Sequence, residues 1–253
     1  MKSTKIFHLV YFDYNGSLYV HFYDCNLRCL GCLRLRSIWD CHLQQDLILR
    51  LSFNGFLSLD EFRNIVVKLS TKRGLKQVVL GGGEPTNDDS LVHILDLLKD
   101  LDLEVVILTN AYSIDDELLK KLIDEKVTVK VSIKSIDPEK YEFYTGFPLD
   151  PVIGNFVKMY ESGVKLVVET IVIPEFNDSK DIGRLAKFVS EIDRTIPLII
   201  DSYVPIDGTP WRRPTVEELE EAEKEASKYL DTVYLRGKSI QTGLKGNVYL
   251  IYP

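Results

Sequence analysis

Short apolar runs alternate with capped helical segments along most of this chain, and that alternation admits few folds. From Ser17 onward the expected strands are Ser17–Tyr23, Gln77–Leu80, Glu104–Leu108, Val127–Lys134, Lys165–Ile173 and Leu198–Val204. Ser58 with Glu61 forms a capping box that opens a helix to about Arg73. Further helices are expected over Asp88–Asp100, from Ser113 with Asp116 to about Glu125, over Pro151–Ser162, over Asp178–Ile192, and from Thr215 with Glu218 to about Leu230. Gly163 stops the helix before it, as a left-handed C-terminal residue does. Ahead of the first strand, Ile6–Tyr14 pairs back through an Asn15-Gly16 turn, a strong hairpin signal. The last stretch, Thr232 to Tyr252, reads as short strands with glycine turns.

Several strands are near-continuous apolar runs, such as Lys165–Ile173, and such runs fit a parallel sheet covered on both faces. Six β-α units are too few to close the eight-fold barrel. The expected fold is therefore α/β: a partial, open (β/α)6 TIM-like barrel with an N-terminal hairpin and a short C-terminal β extension. The chain reads as one domain over residues 1–253, with a barrel core at about 17–208 and a helix and strands over 209–253. In such folds the site lies at the C-terminal strand ends.

Three of the four cysteines fall within eight residues, Cys25, Cys29 and Cys32, in the spacing C-x3-C-x2-C. Thiolates so close converge on one object. Three ligands leave a tetrahedral metal or a four-iron cluster one position open. Structural zinc usually shows two knuckles, and here there is one, although Cys41 and His42 follow nearby. An iron–sulfur cluster is the leading reading, because thiolates at short spacing are its usual ligands. Cys41 by itself reads as a buried structural thiol, with a role near the cluster as the alternative.

The other strand ends carry polar or unusual residues: Gly81-Gly82-Gly83-Glu84-Pro85, Thr109-Asn110, Ser132 and Lys134, Glu169, Ile173, and Tyr203. The glycine run has neither the P-loop nor the Rossmann spacing. Glycines let backbone pass close to a ligand, and Glu84 is a carboxylate that can grip an ammonium group.

The pair of C-x3-C-x2-C and, about fifty residues later, GGGEP resembles the radical S-adenosylmethionine (radical SAM) superfamily. The resemblance implies that three cysteines hold a 4Fe–4S cluster whose fourth iron is chelated by the methionyl amino and carboxylate groups of S-adenosylmethionine. Reductive cleavage then yields a 5′-deoxyadenosyl radical that abstracts a hydrogen atom. It implies metal and catalytic roles for Cys25, Cys29 and Cys32, and cofactor binding by Gly82, Gly83, Glu84, Thr109, Asn110, Ser132, Lys134, Glu169, Ile173 and Tyr203.

Within that superfamily the chain is most similar to pyruvate formate-lyase activating enzymes, from the first barrel strand to about Gly208. SIKSIDPEKYEFYTG, ETIVIPEFND and DSYVPIDG follow their patterns. The chain departs from them at Gly31, Ser132, Tyr141, Glu169 and Val204, and it lacks the cysteines of the ferredoxin-like insert that some of them carry. The resemblance implies an oxidoreductase acting on a glycyl-radical protein, supplied by a low-potential electron donor, a flavodoxin or a ferredoxin. The alternatives are a radical SAM enzyme modifying a small molecule, peptide or RNA, and a non-catalytic zinc or iron–sulfur protein.

The formal net charge of −7 argues against a general nucleic-acid or acidic-membrane binder, although Arg28, Arg34, Arg36 and Arg50 crowd the cysteine loop. The N-terminal apolar run is too short for a signal peptide, and no stretch approaches the ~20 apolar residues of a membrane span. A cytoplasmic location, where thiols stay reduced, is expected.

Overall fold

The computed structural model describes residues 3–237 and 246–253. Asn15 and Gly16 turn the chain between β1 (Ile6–Phe12) and β2 (Ser17–Phe22), which pair antiparallel with Phe12 opposite Ser17. Asn15 Oδ1 accepts from the Ser17 amide at 3.2 Å and the Ser17 hydroxyl at 2.8 Å. Gly16 takes φ +69°, the left-handed conformation such a turn requires. A short helix, α1 (Gln45–Ile48), lies in the long segment that follows. α2 (Leu59–Arg73) has the Ser58–Glu61 capping box and ends on left-handed Gly74.

The parallel array then builds outward in chain order: β3 (Gln77–Gly82), α3 (Leu91–Lys99), β4 (Glu104–Thr109), α4 (Asp116–Asp124), β5 (Thr128–Ser132), α5 (Pro138–Thr145), α6 (Asp150–Glu161), β6 (Lys165–Val172), α7 (Ser179–Asp193), β7 (Leu198–Ser202), α8 (Val216–Ala226), β8 (Val233–Arg236) and β9 (Val248–Tyr252). The strand order is β8-β7-β6-β5-β4-β3-β2-β1-β9. β2 to β8 run parallel, while β1 and β9 are antiparallel additions at one edge. The sheet is an unclosed α/β barrel of the expected kind.

Three details differ from the expectations, and one falls outside the described residues. The parallel array continues by one strand, β8, so the segment beyond residue 208 supplies both outer edges of the same sheet. α4 is capped by Asp115, whose side chain accepts from the Leu118 amide, rather than by Ser113. α5 has no counterpart in the sequence reading; Asp137 caps it and left-handed Gly146 ends it. Of the glycine turns expected near the C-terminus, Gly243 lies outside the described residues.

The two faces of the sheet differ. Strand residues Leu18, Val20, Val78, Leu80, Ile107, Val129, Val131, Val168 and Ile200 pack with the helices in one large apolar core. The continuous apolar run of β6 proves to alternate: Leu166, Val168, Thr170 and Val172 are buried, while Val167, Glu169 and Ile171 between them are less covered. On the opposite, inner face, Val10, Phe12 and Leu43 form a small apolar cluster near β1 with residues of α1 and β9. Among the described residues no helix is long and apolar enough to cross a membrane.

Candidate active site at the strand ends

The cysteine loop leaves the end of β2 and is tied to the structure at two places. On one side, Gly83 N–H donates to Phe22 O at 2.9 Å and Glu84 N–H to Asp24 O at 2.7 Å. A Cβ on Gly83 would lie 2.2 Å from Asp24 O, so glycine is required there for the two backbones to touch. On the other side, Arg28 N–H donates to Thr145 O and Leu30 N–H to Tyr144 O, both at 2.9 Å, which docks the loop on the end of α5.

The three thiols are unpaired; Cys25 is exposed, and Cys29 and Cys32 are partly covered. Burial pushes the Cys29 thiol up to about 11, against the opposing pull of Lys134. Burial also raises Cys25. A metal bound by these thiols displaces their protons.

Glu84 is 3 % exposed. Its Oε1 accepts from the Thr86 amide at 3.1 Å, the Thr86 hydroxyl at 2.8 Å and the Thr109 hydroxyl at 2.6 Å, and its Oε2 accepts from the Asn110 amide at 2.7 Å. Burial pushes this carboxyl up and the four donors pull it back. Glu84 thus braces the ends of β3 and β4, with three donors on Oε1 and one on Oε2. Asn110 carries the brace onward, its Nδ2 donating to Asn26 Oδ1 at 2.7 Å beside Cys25.

Across the loop, Ile173 and Tyr203 join Tyr144 in a buried cluster against Cys29, walled by Phe176 and Trp211. Gly31, where the activase pattern has an aromatic, sits under two aromatics from elsewhere: a Cβ there would lie 2.4 Å from Tyr144 Oη and 2.7 Å from Tyr203. The Tyr203 hydroxyl pairs with Thr209 Oγ1 at 2.8 Å. Lys134 donates to Ser132 Oγ at 2.5 Å. The structure thus brings Cys25, Cys29, Cys32, Gly83, Glu84, Thr109, Asn110, Lys134, Ser132, Ile173 and Tyr203 to one rim, with Gly82 at the end of β3 beside His21.

Glu169 is the exception, engaged deeper on the inner face. Arg236 of β8 ion-pairs with Glu169 of β6 and with Asp201 of β7, the latter at 2.6 Å. Burial and the neighbouring Glu169 push the Asp201 carboxyl up, and Arg236 opposes them. Lys130, on the same face, is pushed down by burial and by Arg236. Sequence reasoning missed Arg236 and Asp201 because β8 is short and its membership in the parallel array is a tertiary fact. An arginine ending a strand was the available signal.

Tyr141 also lies at the site. It is fully buried in α5, its hydroxyl has no hydrogen-bond partner, and Cys29, Cys25 and Glu84 are among the charges that act on it. A buried hydroxyl without a partner is costly in a sealed interior. Together with three unpaired thiols on one loop, it fits a bound group at this rim.

A partial α/β barrel with three thiols on the loop after its first parallel strand defines a cluster-carrying barrel. The comparisons agree. Residues 19–189 match the model of the Radical SAM superfamily, and the chain belongs to that superfamily, whose members use a 4Fe–4S cluster and S-adenosylmethionine. A Methanocaldococcus jannaschii protein, provisionally named a glycyl-radical enzyme activating enzyme, is 27% identical over 216 residues, covering 83% of this chain and 77% of its own. A GTP 3′,8-cyclase of Clostridium perfringens is 26% identical over 234 residues, covering 88% of this chain and 67% of its own. Among solved structures, Streptococcus suis SuiB bound to S-adenosylmethionine superposes with TM-score 0.69 at 18% identity, over 85% of this chain and 48% of SuiB. The chain thus spans about half the length of SuiB. A domain of a pyruvate-formate lyase-activating enzyme from Bacteroides vulgatus superposes with TM-score 0.56 at 17% identity, over 64% of this chain and 99% of that domain. These likenesses support the fold.

Proposed function

We propose that this radical SAM enzyme is an activating enzyme for a glycyl-radical protein, removing one hydrogen atom from a backbone glycine. The observation that carries the reading is the cysteine loop, braced between Gly83-Glu84 and the end of α5, in a chain whose M. jannaschii relative matches over most of both lengths. Cys25, Cys29 and Cys32 would hold the cluster, and the bound cluster and S-adenosylmethionine supply a carbon radical able to take a hydrogen atom.

The protein's own groups bind and shield. Because three of the four donors to Glu84 reach Oε1, the Gly82 and Gly83 carbonyls and the less engaged Oε2 would be the acceptors for an amine. Lys134 offers an ammonium to a carboxylate beside Ser132. Ile173, Tyr144 and Tyr203 form an apolar wall that keeps water from the cluster side of the rim. Tyr141, in the adjoining core, offers a buried hydroxyl that lacks a protein partner. A low-potential flavodoxin or ferredoxin would supply the electron, and Arg28, Arg34 and Arg36 beside the cysteine loop suit an acidic donor.

A second reading rests on the inner face. Glu169, Asp201, Arg236 and Lys130 form a charged surface suited to a polar small molecule or peptide, and the GTP 3′,8-cyclase and SuiB likenesses keep that class in view. The test is electron paramagnetic resonance of the reduced, reconstituted enzyme with S-adenosylmethionine and a glycyl-radical protein encoded beside its gene. A glycyl-radical signal supports the proposal. A defined modified small product with no such signal overturns it in favour of the second reading.

A further inference from the structure

Cys41 is exposed, which corrects its reading as a buried structural thiol, and its neighbours are Asp40 and His42. Cys41 lies nine residues beyond Cys32, past the single 3-10 turn Leu33–Leu35.

One ligand atom each from Asp40, Cys41 and His42 lies within 4.8 Å of the other two. His42 Nδ1 is 2.8 Å from Asp40 Oδ1 and 3.8 Å from Cys41 Sγ. A carboxylate oxygen and a sulfur thus converge on one imidazole nitrogen. Around a tetrahedral ion with bonds of about 2.0–2.3 Å, neighbouring ligand atoms stand about 3.3–3.8 Å apart. An ion there therefore asks His42 Nδ1 and Asp40 Oδ1 to part by about half an ångström and the thiol to close on the carboxylate oxygen by up to about an ångström.

The surroundings are those of a supported ligand set. Asp40 is 4 % exposed, whereas Cys41 and His42 are open to solvent. His21 Nε2 donates to the second oxygen of Asp40 at 2.9 Å, fixing the carboxylate's orientation. The Asp40 amide donates to His8 Nε2 at 3.2 Å, and His8 Nδ1 donates to Tyr252 O at 3.0 Å. Three of the chain's four histidines thus gather on one aspartate, from β1, β2 and the segment after the cysteine loop. A mixed nitrogen, oxygen and sulfur set suits zinc or a similar transition ion rather than magnesium or calcium.

We propose that Asp40, Cys41 and His42 bind one divalent zinc-type ion at a site separate from the cysteine loop, with the fourth position open on the solvent side. His21 is its positioning residue. The site adjoins the inner face through Tyr19, whose ring is 4.6 Å from that of His21, so its open position suits an anionic oxygen or sulfur of a substrate reaching that face.

The test uses the full chain with its cluster reconstituted, equilibrated with Zn2+ and freed of excess metal. Elemental analysis is expected to give one zinc per chain beyond the cluster iron, and zinc-edge X-ray absorption one sulfur with nitrogen and oxygen neighbours. Cys41→Ser is expected to remove the sulfur and weaken zinc affinity by at least about tenfold in chelator competition, as is His42→Ala. Both positions are exposed, so the fold tolerates these changes, and circular dichroism checks it. His21→Gln is expected to weaken zinc affinity while leaving the sulfur in place. The triple variant Cys25→Ala, Cys29→Ala, Cys32→Ala is expected to keep its zinc. No retained zinc, unchanged affinity in Cys41→Ser, or zinc lost with the cluster cysteines instead would each overturn the site.

Discussion

The two faces of one sheet follow different rules. The helix-covered face is mostly apolar: Val129, Val131, Val168 and Ile200 meet side chains of the helices in a single core, with Thr170 of β6 a buried polar exception. The inner face carries Lys130, Ser132, Glu169, Asp201 and Arg236, and Arg236 of β8 ion-pairs with Glu169 of β6 and Asp201 of β7. Because side chains alternate along a strand, β6 serves both faces, sending Val168 to the core and Glu169 to the site. Substitution on the first face should therefore cost stability. On the second face it should cost chemistry with modest change in stability.

Phe156 is fully buried in α6 within the outer core. Phe156→Ala should lower unfolding free energy by about 3–5 kcal/mol, read by urea denaturation. If any folded fraction lacks normal cluster content, the separation of the two faces fails. Gly83→Ala should do the reverse. A Cβ pressed against Asp24 O must push the cysteine loop off β3, so iron and sulfide content after reconstitution should drop several-fold while far-ultraviolet circular dichroism stays close to native. Full iron content would show that the close approach is not needed.

Within the inner face, Arg236→Gln leaves Glu169 and Asp201 without their shared cation. With the arginine about half exposed, the cost should be about 1–2 kcal/mol. Adding Glu169→Gln should recover part of it, and additive losses in that double-mutant cycle would refute the coupling. The smallest effect belongs to a surface pair outside both faces. Arg212 holds Glu218 at 2.7 Å and keeps its carboxyl down at about 2. A depressed carboxyl contributes stability above its unfolded value and loses it as pH falls from about 4.5 to about 2. Glu218→Gln should flatten the stability–pH curve in that window by less than about 1 kcal/mol. A larger change would mean that surface charge matters more here than the buried network.

The same contrast explains what the sequence made legible. Features set by local chemistry were readable: the Asn15-Gly16 hairpin, the capping boxes at Ser58 and Thr215, the three clustered cysteines and the glycine run. Features set by distant partners were not. α5 is short, aromatic and without an apolar stripe, and it stands because Asp137 caps it and the cysteine loop docks on its end. β8 is half exposed, and its meaning comes from lying beside β7. Glu84 was visible as unusual, but its inward turn depends on Thr109 and Asn110, at the end of another strand. The exposure of Cys41 is likewise set by how the segment after the cysteine loop lies on the sheet, which the residue's local sequence does not carry.

The most direct measurement is electron paramagnetic resonance of the anaerobically reconstituted, reduced protein before and after S-adenosylmethionine is added, with product analysis on the same samples. A loop that holds a cluster by three thiolates, leaving one iron for the cofactor, predicts a cluster signal that changes on addition. It also predicts 5′-deoxyadenosine formation, with both lost in the Cys25, Cys29 and Cys32 triple alanine variant. A cluster signal indifferent to S-adenosylmethionine, with no 5′-deoxyadenosine formed, would contradict it.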